Sequence, residues 1–224
     1  MREPIRLDSV NVGQSTTIRR GDKSALTGLL KHPVAGLVPV GENGVAGDTV
    51  VDTTHHGGAD QAVYLYRSED YDWWAEETGN AFPPGHLGDN LTIRGLPSEL
   101  KIGDRLLIRE VVLEITAPRI PCYKLALHLD DPEFGLAFRR AERPGVYCRV
   151  LSGGKIRAGD SVTFITNDAE SVAVLELFRF YYDLSPEVET MQRLLAAPLA
   201  VRFRSKVEAR LRALECEPDT GGSA

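Results

Sequence analysis

The stretch Ala117-Pro118-Arg119-Ile120-Pro121-Cys122-Tyr123-Lys124-Leu125 concentrates the reactive chemistry of the chain. Its two prolines fix φ and withdraw backbone donors, so the loop has few conformations and holds Cys122 in place. Arg119 and Lys124 set positive charge on either side of the thiol, which favours the thiolate, the form that ligates metals. The plain alternative on spacing alone is a small buried hydrophobe in a turn. A second stretch, His55-His56-Gly57-Gly58-Ala59-Asp60-Gln61-Ala62-Val63-Tyr64, runs a histidine pair and a glycine pair into a strand. Gly57 and Gly58 allow close backbone approach to a ligand or positive φ, and His56 can donate to that ligand. Adjacent histidines point to opposite faces of an extended chain, so a two-histidine metal site is not expected. The alternative there is a tight turn carrying one exposed histidine.

Two further segments carry weaker signals. Thr27-Gly28-Leu29-Leu30-Lys31-His32-Pro33-Val34 places Thr27 and Lys31 near a strand end, a pairing suited to an anionic group. Gly85-His86-Leu87-Gly88-Asp89-Asn90-Leu91 sets the Asn90 amide in a turn just before a strand. Gly103-Asp104 and Gly159-Asp160 read as turn chemistry without function. The chain has no Gly-x-Ser-x-Gly elbow, no Gly-x-x-x-x-Gly-Lys phosphate loop and no Gly-x-Gly-x-x-Gly dinucleotide fingerprint. Any electrons the site needs are therefore expected from a separate reductase.

The elements that position these residues alternate between short strands and turns. Strands are expected at Ile5–Val12, Ser24–Leu30, Gln61–Tyr66, Asn90–Ile93, Arg105–Ile108, Val111–Thr116, Val146–Leu151 and Ser161–Thr166. They are β-branched or alternating runs bounded by Gly, Asp, Asn or Pro. Helices are expected at Ser68–Glu77, which opens on a serine and two acids, and at Pro132–Glu142, with Asp131 as cap. So many short strands imply a mixed, β-rich, barrel-like domain over residues 1–166 rather than a doubly wound sheet. Beyond Asp168 the spacing turns helical, through Val172, Leu175, Phe178 and Tyr182, then from Ser185-Pro186-Glu187, then from near Pro198. Residues 167–224 are thus expected to form a three-helix appendage with a fraying polar end. It has no metal-ligating motif, and its expected role is association with the barrel, a second copy in a homodimer, or an electron donor.

Composition narrows the function classes. A net charge of −6 argues against nonspecific nucleic-acid binding, which leans on phosphate neutralisation by Lys and Arg. The five basic residues in 198–214 read as a solvated helix face. No apolar run approaches the ~20 residues that cross a bilayer, and the first residues are charged where a leader is apolar. A cytoplasmic protein without a membrane partner is expected. Cys122, Cys148 and Cys216 are widely spaced, with no Cys-x-x-Cys pair, unlike a disulfide framework or a structural zinc site.

The ordered set of motifs resembles a known family. Thr-Gly-x-x-Lys-x-Pro-Val (27–34), Gly-x-x-Gly-Asp (44–48), His-His-Gly-Gly (55–58), Gly-x-Asn-Leu (88–91), Pro-Arg-x-Pro-Cys-x-Lys-Leu (118–125) and Arg-Val-Leu-x-x-Gly (149–154) are similar to MOSC-domain proteins of the bacterial YiiM type. The helical tail is similar to the three-helix domain of that subgroup, and the resemblance covers nearly the whole chain. It implies a β-barrel-like fold and a molybdenum cofactor, a pterin dithiolene (molybdopterin) with a phosphate tail, whose metal takes Cys122 as its protein ligand. It implies reduction of N-hydroxylated small molecules, such as hydroxylaminopurines and amidoximes, by oxygen-atom removal. Lys31 and Arg119 would then face phosphate or pterin oxygens, and His56, Thr27 and Asn90 pterin heteroatoms. Gly57, Gly58 and Lys124 would complete a wide, positively lined cavity. A cofactor or sulfur carrier without turnover is the alternative. Two positions depart from the family pattern: Asp89 stands where Glu is commoner, and Phe203 where Trp is expected. Cys148 matches no motif and reads as packing.

Overall fold

A computed structural model describes residues 4–53, 57–167 and 172–215. Its main element is an eight-stranded sheet. In chain order the strands of that sheet are β1 (Arg6–Gly13), β4 (Lys31–Pro33), β7 (Val63–Arg67), β8 (Leu91–Arg94), β9 (Arg105–Ile108), β10 (Val111–Pro118), β11 (Val146–Ser152) and β13 (Val162–Ile165). Across the sheet they lie in the order β13-β9-β10-β11-β7-β8-β1-β4. A hairpin of β2 (Thr16–Arg20) and β3 (Lys23–Thr27), and a small sheet of β5 (Val38–Gly41), β6 (Gly44–Val45) and β12 (Gly154–Ile156), pack beside it. The described helices are α1 (Ser68–Thr78), α2 (Tyr123–Leu129), α3 (Phe134–Ala141), α4 (Val174–Tyr182), α5 (Val188–Ala196) and α6 (Val201–Glu215).

The barrel expected from the sequence does not close. Across the gap, Arg6 bridges Ser161 at one isolated point, helped by backbone bonds from Leu7 to Asp160 and from Val162 to Ile5. The outer side of β1 is otherwise given to β4, at Asn11–Gly13, so no ladder can continue to β13. The fold is a large open sheet combined with helices.

Strand β7 shows why the sheet needs cover on both sides. Its side chains alternate, so Val63 and Leu65 enter one core while Tyr64 and Tyr66 enter another. All four are buried, and the run reads as continuously apolar. β7 and β8 are parallel, and the crossover that parallel pairing requires is supplied by α1. That helix buries Trp74, whose indole N–H donates to the Tyr66 hydroxyl at 2.8 Å. Its Gly79 cap takes φ 71°, the left-handed end that glycine tolerates. Ser68 does not cap α1; its hydroxyl instead donates to Asp8 at 2.8 Å.

The C-terminal helices share the sheet's core. Leu177 and Phe180 of α4, Met191 and Leu194 of α5, and Phe203 and Val207 of α6 lie in one apolar cluster with Leu106, Leu113 and Ile115. Backbone bonds reinforce the junction: Val174 N–H donates to Leu100 at 2.8 Å, and Ala200 N–H to Thr116 at 3.1 Å. No described helix is long and apolar enough to cross a membrane.

Candidate functional site

Strand β10 delivers the reactive loop. Ala117 and Pro118 still pair with Tyr147 and Val146 of β11, so the loop leaves the sheet from a fixed end. Cys122 follows in extended conformation (φ −107°) and immediately precedes α2, whose Leu125 N–H donates to the Cys122 carbonyl at 3.0 Å. The sequence read the whole 117–125 stretch as loop, yet α2 begins at Tyr123 because Leu125 and Leu127 find burial there. Cys122 is partly exposed, whereas Cys148 is wholly buried in the core, where burial pushes its thiol pKa strongly up. Of these two thiols, only Cys122 can meet a ligand.

A cavity of about 90 Å³ lies against Cys122. Thr27, Lys31, Gly57, Asn90, Arg119 and Lys124 line it together with that cysteine, so segments far apart in the chain converge. Gly58 takes φ 84° beside it but is not part of the lining. His56 lies outside the described residues.

Each lining residue is held by a specific contact. Lys31 forms a buried ion pair with Asp48; burial pushes its pKa down while Asp48 opposes that shift. Asp48 also accepts from the Gly13 amide at 2.8 Å and from Asn90 Nδ2 at 2.8 Å. Asn90 Oδ1 in turn accepts from the Tyr64 amide at 3.1 Å, so this side chain ties three segments together. Thr27 Oγ1 accepts from Leu29 N–H at 3.1 Å, and Lys124 Nζ lies 3.8 Å from Asp52. Gly88, at φ 84°, is needed because a Cβ there would sit 2.4 Å from Leu29 and 3.2 Å from the Arg119 guanidinium.

Arg119 is the exception to full pairing. It is buried, donates from Nη1 to the Leu87 carbonyl, and places its guanidinium 4.8 Å from the Tyr64 ring centre. Burial disfavours its charge, but Tyr64, Tyr147 and Cys122 outweigh that and raise its pKa. Its Nε is buried with no hydrogen-bond partner. A buried donor left over costs free energy unless an acceptor fills it. The residues fit an anionic group bearing a thiolate-bound metal: the Arg119 guanidinium and the accessible Cys122 thiol line one cavity. The cavity is narrower and less positive than expected, since Asp48 and Asp52 accompany Lys31 and Lys124. A lysine buried as deeply as Lys31 needs such a counter-charge.

Sequence reasoning missed the far side of Cys122. A second cavity of about 380 Å³ shares Cys122, Lys124, Gln61, Asp52 and Tyr147 with the first. Its remaining wall includes Tyr181 of α4 and Arg202, Phe203 and Lys206 of α6, so the helical segment reaches the site. No motif marks these residues, because their apolar and basic spacing reads as an ordinary amphipathic helix.

The MOSC domain model matches residues 52–163, a span that contains Gly57, Asn90, Arg119, Cys122 and Lys124. The uncharacterized protein YflK of Bacillus subtilis is 30% identical over 199 residues, covering 88% of this chain and 90% of that one. The chain belongs to the MOSC-domain family. A protein of Gibberella moniliformis named Reductase is 29% identical over 194 residues, which are 82% of this MOSC chain but 34% of that protein. The crystal structure of YiiM from Geobacillus stearothermophilus superposes with a TM-score of 0.77 at 27% identity, covering 93% of this chain and 100% of that one. The MOSC chain is thus of the YiiM-like kind.

Proposed function

We propose that this MOSC protein is a molybdenum-cofactor oxidoreductase that removes oxygen from N-hydroxylated small molecules, with Cys122 as the thiolate that holds the metal. The observation that carries this reading is the meeting, in one cavity, of the partly exposed Cys122 thiol with the buried Arg119 guanidinium. The relative named Reductase supports the oxidoreductase class. When bound, the cofactor supplies the oxygen-accepting metal and the two electrons that N–O reduction needs. Arg119 binds its anionic oxygens, the Lys31–Asp48 pair holds the wall beside them, and Gly57 lets the backbone come close. Lys124, paired with Asp52 where the two cavities meet, orients the polar N–O group of the substrate. Tyr147, partly buried and lining both cavities with Cys122, limits water beside the thiol. The electron donor is a separate reductase.

The test is molybdenum content and dye-driven turnover of an amidoxime, after expression in cells that make the cofactor. Wild type and Cys148→Ala are expected to hold molybdenum and turn over, and Cys122→Ser to lose turnover by at least about a thousandfold with weakened metal retention. Normal turnover and metal content in Cys122→Ser would defeat the assignment. Metal retention without turnover in the wild type would leave the carrier role instead.

A further inference from the structure

We propose that Arg202 of α6 is a positioning residue for the cavity beside Cys122, holding the glycine segment 57–61 in the shape the cavity requires. Its Nη1 donates to the Gly57 carbonyl at 2.8 Å and to Gln61 Oε1 at 2.9 Å, while Nη2 donates to the Thr53 carbonyl at 2.6 Å. One residue earlier, the Val201 amide donates to Asp60 Oδ2 at 2.8 Å. The start of the last helix thus grips both ends and the middle of a segment that contributes Gly57 and Gln61 to the cavity wall.

The segment needs such an external grip. Gly57 and Gly58 stand at φ 69° and 84°, and glycine loses more conformational freedom on ordering than any other residue. Within the segment, one backbone bond, Gln61 N–H to the Gly58 carbonyl at 2.9 Å, closes its short turn. From the sheet, Thr116 Oγ1 donates to the Asp60 carbonyl at 2.6 Å. Arg149 of β11 also pairs with the Asp60 carboxylate at 3.1 Å, so the sheet holds Asp60, and the Gly57 carbonyl and the Gln61 side chain are held from α6. Three acceptors in different directions suit the planar fork of a guanidinium, and a lysine ammonium cannot reach all of them in one rotamer. Arg204, two residues on and so on the opposite side of the helix, offers a control: its guanidinium donates to the Leu195 and Ala197 carbonyls, inside the helical segment.

The inference rests on the cofactor reading only for what the cavity holds; the grip itself is a property of the chain. The experiment therefore has two arms, on wild type, Arg202→Ala, Arg202→Lys and Arg204→Ala. In the first, amide hydrogen exchange is followed in cofactor-free protein. Exchange at 57–61 is expected to quicken about tenfold in Arg202→Ala and less in Arg202→Lys, with Arg204→Ala keeping wild-type protection there. In the second, molybdenum per chain is measured after cofactor loading. Arg202→Ala is expected to retain several-fold less metal, and Arg204→Ala to retain wild-type content even where its thermal midpoint falls as far. Wild-type exchange at 57–61 in Arg202→Ala overturns the proposal, as does equal loosening by Arg204→Ala. If Arg202→Ala does not fold, Arg202→Lys is judged by the same criteria. A wild type without molybdenum sinks the cofactor reading, and the exchange arm then still decides whether Arg202 grips the segment.

Discussion

The buried Lys31–Asp48 pair couples the site to stability. Both side chains are less than a tenth exposed, and Asp48 also satisfies the Gly13 amide and Asn90. Removing one partner strands a charge in the interior, whereas removing both leaves an apolar gap. Asp48→Ala is therefore expected to destabilise the protein by about 3–5 kcal/mol in urea unfolding at neutral pH, and a second change, Lys31→Met, to restore much of that. Loss of less than ~1 kcal/mol in the single variant would show that the pair is well solvated. His128 gives a residue-scale pH prediction. Burial, then the neighbouring His86 ring at 4.7 Å, lowers its pKa from 6.5 to about 4. The folded state thus disfavours its protonation, so its contribution to stability is whole above about pH 6.5 and is lost as pH falls towards 4. His128→Gln is expected to flatten the stability profile across that window, measured by thermal midpoint at each pH. An unchanged slope would mean that His128 protonates freely in the folded protein.

At the scale of elements, the helices after the sheet were expected to form a three-helix unit that associates with the barrel, a second copy or an electron donor. Their apolar stripes pack into the sheet's core, through Leu177, Phe180, Leu194 and Phe203, and α6 lines the second cavity with Arg202 and Lys206. Ending the chain after Thr166 would bare the face of Leu113 and Ile115 and leave the Thr116 carbonyl without its Ala200 donor. Burial of large apolar side chains contributes roughly 1.5–3 kcal/mol each, so losing a whole helical layer exceeds ordinary folding stability. The truncated chain is expected to lack a cooperative thermal transition and to bind a hydrophobic dye. A sharp transition in the truncated chain would show that the two parts fold independently. The same scale explains two smaller differences. α2 was hidden because the prolines at 118 and 121 dominate its neighbourhood, and a helix of this length leaves little periodicity to read. β6 and β12 were hidden because they are only two and three residues long, and β5 because it carries Pro39 and its partner β12 lies far away in the chain.

At the scale of the molecule, what was legible from sequence was whatever is written in local chemistry. Turn residues bound β9 and β10, alternation marks β1, and two prolines with a cysteine and two cations mark the reactive loop. The ordered motifs carried the family, because residue type and order survive without coordinates. The sequence could not decide whether the sheet closes. That depended on β4 taking the outer side of β1, a contest between segments whose hydrogen-bonding groups are chemically identical. Nor could it tell which polar residues are available to a ligand. Asn90 and Lys31 looked like free donors in sequence, and only packing revealed that Asp48 engages both, while Arg119 keeps a buried Nε unfilled. Availability is a property of distance and burial, set by segments from across the chain meeting in space, and no local spacing encodes it.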